Sequence, residues 1–250
     1  PVEECGNMLI MTAAVAVCSK KLSFAEKQWE TLGQWCCYLQ EQGMDPQNQL
    51  CTDDFAGHLA HNCNLSVKAI MGIASFAILC RMRGMEKDAA YWMEIARSMA
   101  KTWERTAANG DGTYRLAFDQ PGTFSMKYNM LWDVLFGTGL FDKDMINSEF
   151  SSYVSRHLNR YGMPLDNRAD YTKSDWILWC ASVLENPAFF QKMVHPVWLC
   201  YHESPSRVPL TDWYDSKTAE RVGFQNRTVQ GGLFIKILKD SKALDASIQK

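Results

Sequence analysis

Fully apolar segments alternate with amphipathic ones along this chain. Residues 8–18 and 65–79 are apolar on every side, which is typical of helices enclosed by protein. Segments with apolar residues at three- and four-residue spacing follow them at 24–39 and 85–103, which predicts helices with one buried side. The alternation continues with apolar segments at 126–136, 175–184 and 229–238 and amphipathic segments at 146–158 and 188–200. The pattern therefore predicts five buried helices and four amphipathic ones.

The apolar segments recur at a regular interval. They begin near residues 5, 61, 125, 172 and 228, every 47 to 64 residues, which is the length of one helical hairpin with a loop. Hairpins with an apolar first helix and an amphipathic second helix predict two concentric layers. An α-solenoid also alternates helices, but its inner helices usually keep a solvated concave face. The predicted fold is therefore all-α, an α/α toroid of helical hairpins with residues 1–250 as a single domain.

Three local signals refine this prediction. Ser23 with Glu26 three residues later has the form of a capping box, which predicts a helix start at Ser23. Pro196 is expected to kink or divide the helix at 188–200. Residues 113–118 are the best candidate for a short strand.

Composition and charge exclude several classes of protein. A hydrophobic fraction of 47% is sufficient for a large core. The net charge of −2 and the absence of a Lys/Arg-rich run argue against nucleic-acid binding. The apolar runs are shorter than the roughly 20 residues that span a bilayer, so no membrane helix or membrane partner is expected. The nine cysteines have no repeated CxxC spacing and are expected to be mostly buried apolar residues.

Acidic, glycine and aromatic residues are concentrated just before each apolar helix, in residues 1–4, 52–58, 118–122, 165–168 and 211–215. If the inner helices are parallel, these segments converge on one pocket. Helix capping alone explains one acid in each segment. The pairs Glu3-Glu4 and Asp53-Asp54 instead indicate catalysis, because neighbouring carboxylates repel and one of them acquires a raised pKa.

Other chemistries fit the sequence less well. Asp53, Asp54, His58 and His61 are of metal-ligating types, but their spacing matches no established site, so neither a metal nor a cofactor is expected. A GxSxG motif is absent from the sequence. Tryptophans in inner helices are more often core residues than substrate platforms. Trp213 is the exception, because it is predicted to lie in a loop among acids.

The same segments carry a family resemblance. The stretches are PVEECGNMLIM, TDDFAGHLAHNCNLSVKAI, SMKYNMLWDVLF, YGMPLDNRADYTKSDW, VPLTDWYDS and GFQNRTVQGGLF. In this order they resemble the motif series of the glutaminase A family of fungi and bacteria. The resemblance implies a six-hairpin toroid akin to those of several glycoside hydrolases, and a hydrolase with L-glutamine as substrate. It also implies a secreted or periplasmic setting.

This resemblance also implies that the toroid is incomplete. Six hairpins require twelve helices, whereas the pattern predicts nine. The chain is therefore expected to be the C-terminal portion of a larger protein, with apolar surface on one open side. Either the upstream part of the same protein or another copy is expected to cover that side.

The leading hypothesis is hydrolysis of glutamine to glutamate and ammonia by a carboxylate pair. Asp54 and Asp175 are the predicted pair, with Glu4 as substitute for either. Asp175 is expected to stay ionised at a helix N-terminus and to act as the base. The cations expected to hold a substrate carboxylate are Lys127, Lys173 and Arg168, of which Arg168 has the better geometry. The further predicted substrate-binding residues are Glu3, Asp53, His58, Asn62, Asp166, Trp176, Asp212 and Trp213.

Two alternatives remain open at this point. An inverting glycoside hydrolase also uses two carboxylates, about 6.5–9.5 Å apart. A non-catalytic binding module would keep the pocket without the chemistry. In each case the partner is a small molecule, either glutamine or a sugar.

Overall fold

The structure is a computed structural model that describes residues 1–51 and 54–247, with only the backbone of Asp54. The described residues form ten α-helices: Val2–Ser19 (α1), Ser23–Lys27 (α2), Trp29–Gln42 (α3), Cys63–Met82 (α4), Glu86–Thr106 (α5), Leu131–Phe136 (α6), Lys143–Ser152 (α7), Ser174–Ala181 (α8), Pro187–Glu203 (α9) and Ile235–Ser241 (α10). Turns of 3₁₀ helix span Asp54–Ala56, Tyr128–Met130 and Thr228–Phe234, and a π-helical turn spans Tyr153–His157. The prediction of a mainly helical chain is confirmed.

The central helix is α4, which is buried along almost its whole length. Its first turn is capped by Asn62, whose Oδ1 accepts a hydrogen bond from the backbone N–H of Leu65 at 3.0 Å. Helices α1, α3 and α5 pack around it. The approach of α1 depends on two glycines, because a Cβ atom added at Gly72 would lie 3.1 Å from the Cα of Gly6. The continuous apolar pattern at 65–79 thus correctly predicted an enclosed helix.

The outer helices bury a single side, as their periodicity predicts. In α5 the buried residues lie on one stripe that runs from Ala89 to Trp103. The helix at 188–200 is one continuous helix, α9, with Pro196 inside it. Pro196 therefore does not divide this segment, and the alternative expectation of a kink stays a prediction. Asn186 caps the start of α9 through hydrogen bonds from two backbone N–H groups.

The predicted capping box at Ser23 is also wrong. Ser23 is the first residue of α2 and makes no side-chain cap, and Leu22 occupies the cap position. Lys20, which follows the last residue of α1, has a left-handed backbone (φ 56°). Only residues 20–22 connect α1 to α2. The predicted helix start at Ser23 is confirmed, but the cap position falls to Leu22, whose apolar side chain cannot accept a backbone N–H.

A small antiparallel sheet was not predicted. Strands Tyr171–Lys173 (β1), Thr211–Asp215 (β2) and Arg221–Gln225 (β3) pair in the order β1-β2-β3. The predicted strand at 113–118 instead forms only isolated bridges. The sheet was missed because its strands are short and place charged side chains, Lys173 and Asp212, in buried positions.

The last predicted buried helix is not buried. Residues Thr228–Phe234, which we call the strap, form a 3₁₀ segment with no buried residue, and α10 follows. Side chains such as Phe234 and Ile237 are 64% and 68% exposed. The apolar pattern at 229–238 was therefore misleading, because this side of the segment meets no other part of the described chain.

Two helices are long and apolar enough to cross a membrane by length and composition alone. They are α1 and α4, and α4 has 20 residues, which is longer than its apolar run suggested. The apolar window of α4 is completely buried within the protein, and 56% of that of α1 is buried. Core helices of soluble proteins pass the same test, so this finding is weak support for a membrane span.

Candidate active site

The N-terminal ends of the apolar helices adjoin one another. An ion pair described below joins the first turn of α1 to the second turn of α4. The Asn129 side-chain N–H donates to the backbone carbonyl of Asn64 at 2.9 Å, and the rings of Tyr128 and Trp176 stack at 4.0 Å. We call the edge formed by the first turns of α1, α4 and α8 and by the 3₁₀ turn 128–130 the rim. A closed ring of hairpins stays a prediction, because these contacts show only adjoining helix ends.

Two aspartates share a lysine at the rim. Lys173 at the end of β1 lies with its Nζ 2.5 Å from Asp212 Oδ2 and 3.3 Å from Asp175 Oδ1. The contact with Asp175 is an ion pair without the geometry of a hydrogen bond. Arg227 also donates to Asp212, at 2.6 Å. The antiparallel register places Lys173 opposite Trp213, the residue that follows Asp212 in β2.

The two carboxyl groups have opposite pKa shifts. Burial raises the pKa of Asp175, and the charge of Lys173 opposes this shift only in part. Burial also acts to raise the pKa of Asp212, but hydrogen bonds from Arg227 and Lys173 hold it below its usual value. Asp175 was expected to stay ionised as a first-turn residue, but its desolvation outweighs the favourable charges and shifts its pKa in the opposite direction.

Lys173 and Asp212 are therefore engaged with protein groups. Both side chains are almost completely buried, at 3% and 0% exposure. Lys173 was predicted to hold a substrate carboxylate, but its ammonium group lies between two aspartates. Its position instead gives it an electrostatic role toward Asp175.

Arg168 is similarly engaged. Its guanidinium donates to both oxygens of Asp166, at 2.9 and 2.6 Å, and its Nη1 donates to the backbone carbonyl of Ala56 at 3.1 Å. The fork that was predicted to hold a substrate carboxylate thus already binds Asp166. These contacts connect the turn at 54–56 to the rim.

The turn at 54–56 also packs against the sheet. The ring of Phe55 lies 4.5 Å from that of Trp213 and 5.6 Å from that of Tyr171. Trp213 lies within β2 and not in a loop, and it is half-buried by these contacts. Asp53 and the side chain of Asp54 lie outside the described residues, but the backbone of residue 54 lies in this turn beside the sheet.

The carboxylate pair at the start of α1 is split. Glu3 is buried and forms an ion pair with Lys68 at 3.1 Å, whereas Glu4 is exposed. Both glutamates lie inside α1, which begins at Val2. Because successive helical side chains point about 100° apart, Glu3 faces the core while Glu4 faces solvent. The prediction of a close Glu3-Glu4 pair is therefore wrong.

Glu4 and His58 both line an open cleft at the rim. Its volume is about 770 Å³, within the usual range for a small-molecule site. The other lining residues are Pro1, Tyr38, Gln42, Gln47, Asn48, Gln49, Leu50 and Cys51. Asn62, which was assigned to substrate binding, is buried and caps α4.

Lys127 is not available to a substrate. Its Nζ is completely buried, 3.5 Å from Glu149, and donates to the carbonyl oxygens of Tyr114 and Ser125 at 3.2 and 2.9 Å. Glu149 also accepts a hydrogen bond from Tyr153. The prediction that Lys127 holds a substrate carboxylate is wrong, because a buried ammonium must be paired within the protein.

The possible metal ligands near α4 are dispersed. His61 Nδ1 lies 2.7 Å from Asp45 Oδ1, and this hydrogen bond raises the pKa of His61. His58 faces the cleft. In residues 1–51 and 54–247, leaving aside the Asp54 side chain, no group of three or more His, Cys, Asp or Glu side chains could hold a metal ion.

Comparison with known proteins decides the family. Residues 1–237 match the model of the glutaminase A six helical-hairpin domain. The chain belongs to the glutaminase A family. Glutaminase A of Aspergillus oryzae is 33% identical over 243 residues, which cover 94% of this chain and 34% of the relative. A protein of Arthroderma benhamiae named "probable glutaminase" is 31% identical over 244 residues, covering 84% of this chain and 28% of its own length.

The chain thus spans about a third of the length of these glutaminase relatives. The family resemblance read from its ordered motifs is confirmed. Within this family member, sequence reasoning missed Arg227, Tyr128 and Glu149. Glu149 could have been found, because it falls between Ile146 and Phe150 on the apolar side of its helix. Arg227 and Tyr128 carried no such signal, since their contacts come from segments distant in sequence.

Proposed function

We propose that the complete protein hydrolyses the side-chain amide of L-glutamine to L-glutamate and ammonia, with Asp175 as the proton donor. Membership of the glutaminase A family and the names of the two relatives support an enzyme of this kind. One observation carries the role of Asp175. It is a buried carboxyl group at the rim, and burial raises its pKa although Lys173 lies 3.3 Å away.

Amide hydrolysis requires a proton acceptor for water and a proton donor for the leaving nitrogen. A carboxylate takes a proton from water as the oxygen adds to the amide carbon. The C–N bond then breaks, the nitrogen takes the proton of Asp175, and ammonia leaves. Asp54 remains the predicted base, with Glu4 as its substitute. This assignment reverses the role first expected for Asp175, because its environment favours the protonated form.

The surrounding charges suit a proton donor. When Asp175 gives up its proton, the carboxylate that forms lies beside the ammonium of Lys173. Asp212, held ionised by Arg227 and Lys173, keeps this ammonium in place. Lys173 therefore stabilises the product state of the proton transfer without contacting the substrate.

The test is ammonia release from L-glutamine by the complete protein. Asp175→Asn should lower kcat by about 10²–10⁴-fold, since asparagine cannot donate the proton. The matched control is Asp240→Asn, at an exposed carboxylate paired with Lys236 on α10, and it should keep the wild-type rate. A near-normal rate for Asp175→Asn, with unchanged helical circular dichroism, would contradict the proposal.

The pH profile gives a second measurement of the same role. The folded-state pKa of Asp175 is raised, so the donor is protonated at low pH and loses its proton as pH rises through that pKa. The wild-type rate should fall over this alkaline limb. A rate that rises there would assign Asp175 to the base.

A glycoside hydrolase is the second candidate, and a row of aromatic rings beside Asp175 favours it. The Trp176 and Trp179 rings are 5.0 Å apart, and Trp132 lies 5.5 Å from Trp179. Trp132 and Trp179 are only half-buried, and such rings can stack on sugars. Reducing-sugar release from glycans, without ammonia release from glutamine, would select this function.

A further inference from the structure

Unpaired buried polar atoms are concentrated where the strap packs on α8. Nine buried side-chain atoms of the described residues have no hydrogen-bond partner, and four of them lie in these two short segments. The four atoms are Asp175 Oδ1, Trp176 Nε1, Trp179 Nε1 and Gln230 Nε2. Of these, Asp175 Oδ1 has an ion-pair contact with Lys173 at 3.3 Å but no hydrogen bond. Buried polar atoms are normally paired, so such a cluster indicates a place that receives polar groups from elsewhere.

The strap covers this cluster at a glycine. A Cβ atom added at Gly232 would lie 2.9 Å from Asp175 Cβ and 3.0 Å from Trp179 Nε1. The strap backbone therefore lies directly over the aspartate stem and the indole N–H. None of its residues is fully buried, although Leu233 packs against the core.

Gln230 is held in place on the strap. Its Oε1 lies 3.0 Å from the hydroxyl of Tyr201, which also lies 2.7 Å from Ser174 Oγ at the start of α8. One end of the side-chain amide is thus fixed by Tyr201, and the other end, Nε2, is buried without a partner in the described structure. Through Tyr201 and Ser174, the fixed end ties this N–H donor to the first turn of α8, where Asp175 also lies.

We infer that Asp175, Trp179 and Gln230 form a subsite for a primary carboxamide, which enters when the strap lifts. The two N–H donors match the two lone pairs of a carboxamide oxygen, and Asp175 Oδ1 can accept from its NH₂ group. This inference rests on the proposed function, because the carboxamide would be that of glutamine. It adds Trp179 and Gln230 as positioning residues and puts the leaving nitrogen beside the proton donor.

The first experiment measures KM and kcat for L-glutamine with the complete protein. Trp179→Phe keeps the ring and removes its N–H, and Gln230→Leu removes the amide at similar size. Each variant should raise KM about three- to tenfold, the effect of one lost hydrogen bond. The matched controls are Trp198→Phe and Gln40→Leu, which change exposed residues and should leave KM unaltered.

An unchanged KM in both test variants, in a protein that hydrolyses glutamine, would overturn the subsite. Gln230 lies on the strap and outside the fully buried core, so Gln230→Leu keeps the test valid if Trp179→Phe disturbs folding. A raised KM together with an unchanged helical circular dichroism would exclude a merely structural role for the substituted residue.

A binding experiment separates failure of the subsite from failure of the proposed function. Propionamide is the probe, and propionate, which has no N–H to donate, is its control. Propionamide should quench or shift the tryptophan fluorescence of the wild type more than propionate, and Gln230→Leu should weaken this response. If this holds but no ammonia is released from glutamine, the subsite stands and the proposed reaction fails. If propionamide and propionate act alike, the subsite is wrong whatever the reaction.

Discussion

At the residue scale, the environment of each carboxyl group decides its chemistry. Asp175 and Asp212 contact the same lysine, yet their pKa values move in opposite directions. Asp212 lies close to two cations, 2.5 Å from Lys173 and 2.6 Å from Arg227, whereas, of the cations in the described residues, Asp175 contacts only Lys173, at the longer distance of 3.3 Å. Two carboxyl groups with separated pKa values are a common basis for acid and base roles. Here only Asp175 is left with an oxygen that lacks a hydrogen-bond partner within the described residues.

Burial of both charges gives the Lys127–Glu149 ion pair a structural role. Lys127→Met should lower the free energy of unfolding by about 3–5 kcal/mol, because it leaves the Glu149 carboxylate buried without its counter-ion. Adding Glu149→Gln should recover at least half of this loss, since no buried charge then remains. Denaturant unfolding followed by circular dichroism measures both variants. A loss below about 1 kcal/mol for Lys127→Met would show that the pair is not important for stability.

At the scale of elements, α1 and α4 pack at an unusually close distance that only glycine permits. A Cβ atom at Gly72 would lie 3.1 Å from the Cα of Gly6 and 2.6 Å from a terminal methyl group of Leu39. The leucine tip can rotate away, but the backbone of α1 cannot. This close approach brings the ion pair of Glu3 and Lys68 together at the rim.

A pair of identical substitutions tests this packing. Gly72→Ala should destabilise the protein by about 1–3 kcal/mol through overpacking against α1. Gly33→Ala on α3 has its nearest neighbour, Phe76, at 3.9 Å, and should raise stability by up to about 1 kcal/mol through helix propensity. Melting temperatures of the two variants should therefore shift in opposite directions. Two shifts of the same sign would disprove the close contact.

At the scale of the whole molecule, α1 presents apolar side chains to solvent although its opposite side is core. Met8, Met11 and Val15 follow one stripe and are 38%, 59% and 55% exposed. The C-terminal end of α1 adjoins the segment after α10, where Cys18 Sγ lies 3.7 Å from the carbonyl of Ala243. Large exposed apolar surfaces mark interaction sites. The expectation that another part of the protein or another copy covers an open side therefore remains a proposal.

This stripe leads to a prediction for the 250-residue chain by itself. We expect it to self-associate, and we expect Met11→Lys with Val15→Glu to shift it toward the monomer in light scattering. The control is Lys87→Glu on the outer helix α5, which changes charge away from the stripe and should have no such effect. A chain that is monomeric at high concentration before any substitution would count against an association surface here.

The sequence alone determined the long helices such as α4, α5 and α9, since a continuous or three-and-four apolar spacing is a local property that follows directly from helix geometry. It did not determine which apolar segments are covered, because α1 and residues 229–238 leave apolar side chains exposed. It also determined the family, through motifs whose order is preserved along the chain. The tertiary structure decided which charged side chains are available. By residue type, Glu3, Lys127 and Lys173 could each bind a substrate. The structure shows that each is buried and paired with a side chain distant in sequence. Because a pKa depends on these distant neighbours, the raised pKa of Asp175, on which its proposed acid role rests, could not be foreseen from the sequence.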